Sequence, residues 1–492
     1  MTKTKNIIIS FLLLLIVSSI SFSQKKNIEQ TAKTIKKIET YLDKIEKFGF
    51  TGTVLVELNG EKVVSKGYGF RNINQKQKNT PNTIFDIGSI TKQFTAAAIL
   101  KLEMQGKLST DDKISKYFSD VPKDKSEITI HQLLRHSAGL PSVVGGDYDK
   151  ITKGEFVDKV LNAPLEFESG TRFSYSNVGY SLLAIIIEKV SGKSYEQFLY
   201  ENLWKPSNME STGYKRPGFD NDLIATGYKD DKEWGKPIDK EWETDAPYWH
   251  LKGNGGILST TEDLYKWHLA LLSDKILSKE AKQKYYHPKL RENEDTNSYY
   301  AYGWDVHKTN RNTTLIQHNG TNSIFYSDFY RYLDEGTTII LLSNKAHPNF
   351  RETNREISKI IFDPLFKPVI PIAEDETNRT FTEEIIKITL EKGLTAGTEA
   401  YKKRKRNVNL IERLVNSKGY NLLSDKKLQE AIDIFKLNVF AFPKSANAFD
   451  SLGEAYLEAG NKDLAIENYK KSLLLNPDNK NAEEVLKRLA NK

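Results

Sequence analysis

Phe85-Asp86-Ile87-Gly88-Ser89-Ile90-Thr91-Lys92-Gln93-Phe94-Thr95-Ala96-Ala97-Ala98 is the stretch whose reading decides the fold of most of this chain. Its second half carries a helical pattern: Phe94, Ala98 and Leu102 recur at a spacing of four, and Gly106 supplies a stop signal. Ser89 falls in the first turn of that helix, with Lys92 three residues later on the same face. The positive end of the helix dipole and a cation one turn away both favour an alkoxide over a neutral hydroxyl, which a serine nucleophile requires. Ser-x-x-Lys is a short pattern, and this lysine-rich chain repeats it at Ser23/Lys26 and Ser424/Lys427. What sets Ser89 apart is the company it keeps further along.

At 492 residues the chain is long enough for more than one domain, and a hydrophobic content of 38% supports ordinary packed cores. The formal charge of +7 arises from 72 basic and 65 acidic residues that are well interspersed. No basic block of the kind that grips nucleic acid is present, so no nucleic-acid partner is expected. The absence of cysteine excludes disulfides, thiolate catalysis and cysteine-based zinc sites. Lys3 and Lys5 precede an apolar run from Ile7 to Val17 and small residues through Ser21-Phe22-Ser23. That is the pattern of a secretory signal over residues 1–23, cut after Ser23, with no cysteine there to carry a lipid. An exported protein, periplasmic or secreted from a bacterium and with no stable membrane anchor after cleavage, is the expectation.

Thr53 to Leu58 reads as a strand, and Asn59-Gly60 makes a type I′ turn into Glu61-Lys62-Val63-Val64-Ser65. After the Ser89 helix, Ile130 to His136 reads as a short helix broken by Ser137-Ala138-Gly139-Leu140-Pro141. His131 and His136 have no third metal ligand near them in the sequence, and both read as structural. Tyr175-Ser176-Asn177 precedes a helix over Val178–Val190 that Gly192 ends, and Asn177 suits its N-cap. The stretch from about Lys215 to His250, holding Trp234, Trp242 and Trp249, reads as a cover over one face and a wall of the cleft. Later, Thr314 to Gln317 runs into His318-Asn319-Gly320-Thr321, and a second hairpin turns around Asp334-Glu335-Gly336. One hairpin early, one late and mostly helices between predict an α+β domain over residues 24–370, its antiparallel sheet assembled from both ends and flanked by helices.

Beyond Phe362 the chain is punctuated by Pro364, Pro368 and Pro371 and then becomes purely helical, giving an all-α segment over 371–492. There Gly419, Ala431, Phe435 and Pro443 recur as Gly453, Ala465, Tyr469 and Pro477, each 34 residues on. That period fits the tetratricopeptide pattern, with one good repeat over Ala446–Asn479 and a degenerate one before it. A weaker third unit begins near Thr382, and Ala482 to Leu489 forms a capping helix.

Ser89-x-x-Lys92, Tyr175-x-Asn177 and His318-x-Gly320, in that order, resemble the serine β-lactamase-related family: class C β-lactamases, D-alanyl-D-alanine carboxypeptidases, D-aminopeptidases and related esterases. Leu133-Leu134-x-His136-Ser137-x-Gly139-Leu140-Pro141, Gly255-Gly256-x-x-Ser259-Thr260-x-x-Asp263-Leu264 and Tyr302-Gly303-Trp304 extend the resemblance across roughly Gly52 to Asn344. No Gly-x-Ser-x-Gly elbow of an α/β-hydrolase occurs. The resemblance implies a β-lactamase/penicillin-binding-protein-like fold with Ser89 as nucleophile and Tyr175 facing it as the leading base. It implies Asn177 as a donor to the substrate carbonyl that also holds Lys92, and an oxyanion hole made of the Ser89 and Thr321 amides. A tyrosine base must be shifted down by roughly three units, about 4 kcal/mol, and Lys92 is the group that could supply this. Whether lysine or tyrosine takes the proton stays open at this point.

His318 departs from the Lys-Thr-Gly of the β-lactamases: histidine is charged only part of the time near neutral pH, and His-x-Gly resembles the peptidase and esterase branches. The expectation is therefore an exported serine hydrolase working through an acyl-enzyme on esters or amides, with esterase or D-amino-acid peptidase activity ahead of β-lactamase. The competing expectation is a non-catalytic binding or scaffold protein that uses the cleft and the repeats. A small-molecule or peptide substrate, and a protein or peptide partner on the repeats, are implied as partners. No metal or organic cofactor is implied.

Overall fold

The structure is a computed structural model that describes residues 29–215, 218–229, 232–242, 247–287, 290–292, 297–346, 350–368, 376–405, 408–477 and 479–490. The expected signal over residues 1–23, with Ser23/Lys26 beside it, lies outside them. The chain forms two compact units, Met1–Ile370 and Pro371–Lys492.

The first unit is built on strands β1 (Gly52–Leu58), β2 (Glu61–Tyr68), β3 (Leu290–Arg291), β4 (Ser298–Tyr300), β5 (Asp305–Lys308), β6 (Thr314–Thr321), β7 (Tyr326–Tyr332) and β8 (Thr337–Ser343). They pair in one eight-stranded sheet in the order β2-β1-β8-β7-β6-β5-β4-β3. The early hairpin joins the late one through β1 and β8, which run antiparallel from Gly52↔Ser343 to Glu57↔Thr338. The sheet is thus assembled from both ends of the unit, as expected. Asn59 (φ 52°) and Gly60 (φ 80°) are both left-handed, the requirement of the tight turn that sets the β1–β2 register.

Strand side chains alternate between faces, and here both central faces are covered, so β1 and β8 are buried throughout. Val54, Val56, Ile339 and Leu341 pack on one face against Ile38, Leu42 and Ile45 of the helix over residues 29–46 (α1) and Ile357 and Ile360 of a late helix, Phe350–Phe362. Leu55, Ile340 and Leu342 point the other way into a larger core shared with helices α2 (Thr91–Met104), α3 (Ile130–Leu134), α4 (Lys153–Asn162), α5 (Asn177–Ser191), α6 (Tyr195–Leu199), α7 (Thr261–Leu272) and α8 (Lys279–Tyr286). Helices α2 and α5 are apolar on most sides because both run through this core. Phe94 is wedged against Trp204 and Trp267, at ring centroid distances of 5.9 and 5.0 Å. The Trp-rich stretch after Lys215 contains a short ribbon, Gly227–Lys229 paired with Lys232–Gly235, and Trp249 is buried in the same core.

Between α7 and the sheet lies a buried ionic chain. Glu57 on β1 faces His268 Nε2 at 3.1 Å, and His268 Nδ1 accepts from Arg331 Nε of β7 at 3.0 Å. Burial pushes the Glu57 carboxyl up, but the bond and field of His268, with bonds from Thr338 and Tyr265, more than reverse this and hold it below the usual range. His268 itself is pushed down by burial, so a neutral imidazole bridges a carboxylate and a guanidinium.

In the second unit, Glu376–Lys392 pairs with Leu394–Arg404, Glu412–Ser424 with Leu428–Ala441, and Ala446–Glu458 with Lys462–Leu475; Lys480–Ala490 follows as a single helix. The repeat has a steric cause. A Cβ on Gly419 would fall 2.5 Å from the Phe435 ring, and one on Gly453 would fall 3.1 Å from Tyr469. Each glycine lets an aromatic residue of the next helix press onto backbone. The weak third unit starts earlier than expected, with Glu376 the first residue described in its helix.

Arg331→Met removes the cation from the buried chain and leaves Glu57 facing a neutral ring. It is expected to destabilise the first unit by about 3 to 5 kcal/mol in urea unfolding, as for other broken buried pairs. A loss below about 1 kcal/mol would mean that the chain is not an ion pair in the native state.

Candidate active site

Ser89 sits in a single 3-10 turn, Gly88–Ile90, that runs straight into α2, so Lys92 is the second residue of the α-helix proper. Gly88 adopts φ +50°, and a Cβ there would lie 2.7 Å from the Thr321 amide nitrogen. A Cβ on Gly320 would collide with the Ile87 carbonyl oxygen and lie 2.8 Å from the Ser89 nitrogen. Two glycines therefore allow the end of β6 to close against the Ser89 turn, backbone on backbone, which brings the Ser89 and Thr321 amides together.

Lys92 is fully buried. Its Nζ lies 3.1 Å from Ser89 Oγ, 2.8 Å from Asn177 Oδ1 and 2.8 Å from the Asn254 carbonyl oxygen. Asn254 is itself fixed, donating from Nδ2 to Ser181 Oγ and to the His250 carbonyl oxygen. Burial holds the Lys92 ammonium well below the usual lysine range, opposed only by the field of Asp147. A neutral amine has two hydrogens and one lone pair. In that form the two carbonyl oxygens would take the hydrogens and leave the lone pair for the Ser89 hydroxyl.

The Tyr175 side chain interacts with that of Ser89, and its ring lies 4.8 Å from Lys92 Nζ. The downward shift needed for a tyrosine base is absent: burial pushes Tyr175 up, the bond to Ser89 only partly offsets this, and Asp305 and Glu292 add to it. Lys92 does not pull it down, because a desolvated lysine is itself driven toward neutrality. Asn177 is not the N-cap of α5. Ser176 holds that position, accepting from the Gly179 N–H, and Asn177 is the first helical residue, which frees its side chain for Lys92.

His318, on β6, is buried with both ring nitrogens engaged. Nδ1 donates to the Asn319 carbonyl oxygen at 2.6 Å, and Nε2 accepts from Tyr300 Oη at 3.0 Å. Burial pushes its pKa down to about 3, so it is neutral throughout the physiological range rather than part-charged.

Sequence reading passed over Asn254, Tyr300 and Asp147, and it took His136 as structural. His136 is buried beneath Tyr175, with ring centroids 4.2 Å apart, and its Nδ1 accepts from the Ser176 N–H at 3.0 Å. Its left-handed backbone (φ 55°) was the available signal, visible as a break before Gly139. A second Tyr-x-Asn, Tyr200-Glu201-Asn202, has Asn202 Nδ2 donating to the Phe198 carbonyl oxygen within its own helix, and Ser424/Lys427 belong to the second unit. A cavity of about 850 Å³ walled by His131, Arg135, Lys284 and Tyr302 includes neither Ser89 nor Lys92, so the chemistry, not the volume, locates the site.

The sequence model of the β-lactamase family matches residues 40–360, and that of the tetratricopeptide repeat matches residues 446–479. A penicillin-binding protein of Bacillus subtilis is 31% identical over 326 residues, which cover 63% of this chain and 72% of that protein. Protein flp of Staphylococcus aureus is 31% identical over 308 residues, 59% of each chain, so this chain spans about three fifths of that relative. The solved structure of the octameric penicillin-binding protein homologue from Pyrococcus abyssi matches with a TM-score of 0.56 at 28% identity, covering 72% of this chain and 81% of that one.

Gly320→Ala forces β6 away from the Ser89 turn. It is expected to leave the circular dichroism spectrum unchanged and to slow acylation by 4-nitrophenyl acetate about a hundred-fold, the effect of a misplacement near 1 Å. Unaltered acylation would show that the close approach does not position the reacting groups.

Proposed function

The chain belongs to the β-lactamase family, a family of serine hydrolases, and from that premise we propose that it works through an acyl-enzyme at Ser89 on ester or amide substrates, as an esterase or peptidase rather than a β-lactamase. The observation that carries this reading is the Lys92 amine, buried, driven neutral and held against Ser89 Oγ by two carbonyl acceptors. Lys92 takes the Ser89 proton as Oγ attacks the acyl carbon. The amides of Ser89 and Thr321 receive the oxyanion, aided by the positive end of α2. Asn177, whose Oδ1 is used by Lys92, keeps its amide hydrogens for the substrate carbonyl. Tyr175, which stays protonated, hands its proton to the leaving group and is reprotonated from Lys92. Water then releases the acyl group by the same route in reverse.

The preference over β-lactams rests on His318. A clamp for a substrate carboxylate needs a cation with hydrogens to give, and His318 is neutral with its one N–H spent on Asn319. We assign residues 24–370 to the hydrolase domain, 371–492 to the repeats, and to the repeats a protein or peptide partner, as helical-hairpin arrays commonly have. Among the described residues no helix is long and apolar enough to cross a membrane. Export through a cleaved signal over residues 1–23 belongs to this proposal and is tested by N-terminal sequencing of the mature protein.

Brief exposure to 4-nitrophenyl acetate is expected to add one acetyl group by intact mass, with the adduct absent in Ser89→Ala. Lys92→Met is expected to slow acylation about a thousand-fold, the scale of a lost general base. Because Lys92 is the depressed group and Tyr175 the raised one, acylation should fall as pH drops through the Lys92 pKa and show no alkaline loss up to about pH 10. Loss of rate on the alkaline side, well below that, would assign the titration elsewhere. Tyr175→Phe should slow amides about a hundred-fold while sparing nitrophenyl esters, whose leaving group needs no proton. An equal loss on both substrate classes would remove Tyr175 from that role.

A further inference from the structure

The cavity of about 850 Å³ that includes neither Ser89 nor Lys92 opens between the end of α3 and α8, with Tyr302 in its wall. That is the size of a small-molecule pocket, typically about 300 to 1,000 Å³. Tyr302 stands between the cavity and the reaction centre. A Cβ on the next residue, Gly303, would lie 2.8 Å from the Lys92 carbonyl oxygen. The cavity thus backs onto the first turn of α2, and neither Tyr175 nor His318 lines it.

Its wall also holds Arg135, the residue that ends α3. Arg135 Nη1 donates to His131 Nε2 at 3.0 Å, and His131 Nδ1 in turn hydrogen-bonds with Tyr302 Oη. An imidazole nitrogen that accepts from arginine belongs to a neutral ring, so this bond orients the guanidinium without balancing its charge. The buried Arg135 Nε has no hydrogen-bond partner, and among the described residues no carboxylate pairs with the group. Burial pulls the Arg135 pKa down, opposed by Tyr302, yet an arginine does not give up its proton. A half-buried, uncompensated cation with most of its N–H groups unused is therefore left beside an open volume.

The remaining charges of the cavity decide which anion fits. Lys284 is already paired, its Nζ 2.9 Å from both carboxylate oxygens of Glu103. Asp111 and Glu280 line the cavity as exposed carboxylates. One cation is thus left to be matched, which suits a monoanion, whereas a dianion would bring a surplus charge toward two carboxylates. A carboxylate is also the planar partner of the guanidinium fork. Tyr286, His287 and Tyr302 give the same cavity aromatic walls. We propose that this cavity is a second ligand site, separate from the Ser89 cleft, which takes a small monocarboxylate with its carboxylate on Arg135 and its apolar body against Tyr286 and Tyr302.

The test needs no substrate. The full-length protein is titrated calorimetrically with benzoate, benzamide and inorganic phosphate at about pH 8, where phosphate is largely a dianion. Benzoate is expected to bind ten-fold or more tighter than either of the others, and Arg135→Gln to remove that preference. Arg135→Lys, which keeps the charge and loses the fork, should retain part of it. Photolabelling with 4-azidobenzoate, mapped by peptide mass, should mark residues 131–135, 280–287 or 302 and be competed by benzoate. The label is read in the wild type, so it decides the site even where Arg135→Gln fails to fold. No binding of benzoate up to about 10 mM, parity with benzamide, phosphate binding as tight as benzoate, or a preference that survives Arg135→Gln overturns the proposal. Labelling confined to other parts of the chain, Ser89 and Tyr175 included, overturns it as well.

Discussion

The burial of one amine, Lys92, is the constraint on which the rest of this site depends. A lysine fully removed from water cannot keep its charge cheaply, and here no carboxylate touches it to compensate. What surrounds it instead is a set of neutral acceptors spaced for a free amine: the Asn177 side chain, the Asn254 carbonyl and the Ser89 hydroxyl. The same low-polarity surroundings that lower the Lys92 pKa raise that of Tyr175 and force His318 to be neutral. One physical cause, desolvation, thus shifts three groups, in the directions that the proposed base and proton donor require.

That arrangement explains why the fold invests in close backbone approach around a short segment. Gly88 and Gly320 let β6 meet the Ser89 turn, and a Cβ on Gly303 would lie 2.8 Å from the Lys92 carbonyl carbon and oxygen. Three glycines far apart in sequence clear space around the first turn of α2. His136 performs a related service from below, holding the Ser176 N–H and backing the Tyr175 ring, so that the tyrosine and Asn177 reach the cleft from one rigid junction.

Much of the framework could be read from local patterns, because the forces that set it are local. Asn59-Gly60 specifies its own turn, and a 34-residue recurrence of Gly453 and Tyr469 encodes a packing contact within one helical hairpin. The order of Ser89, Lys92, Tyr175, Asn177, His318 and Gly320 located the site, and the structure brings all six together around α2 and β6. What the sequence could not carry was environment. The sign of the Tyr175 shift depends on burial, not on which residue types are near. The neutrality of His318 depends on Tyr300 from another strand. Ser176 rather than Asn177 caps α5 because both can cap, and only the tertiary demand of Lys92 decides between them.

The central claim is that Lys92 is a neutral amine in the resting protein, and its titration tests this directly. With ¹³C-labelled lysine, the ε-carbon resonance of Lys92, assigned by its disappearance in Lys92→Met, should already have its deprotonated shift at neutral pH while the other lysines remain protonated. A Lys92 resonance that titrates near 10.4, with the exposed lysines, would contradict the account and return the base to another group.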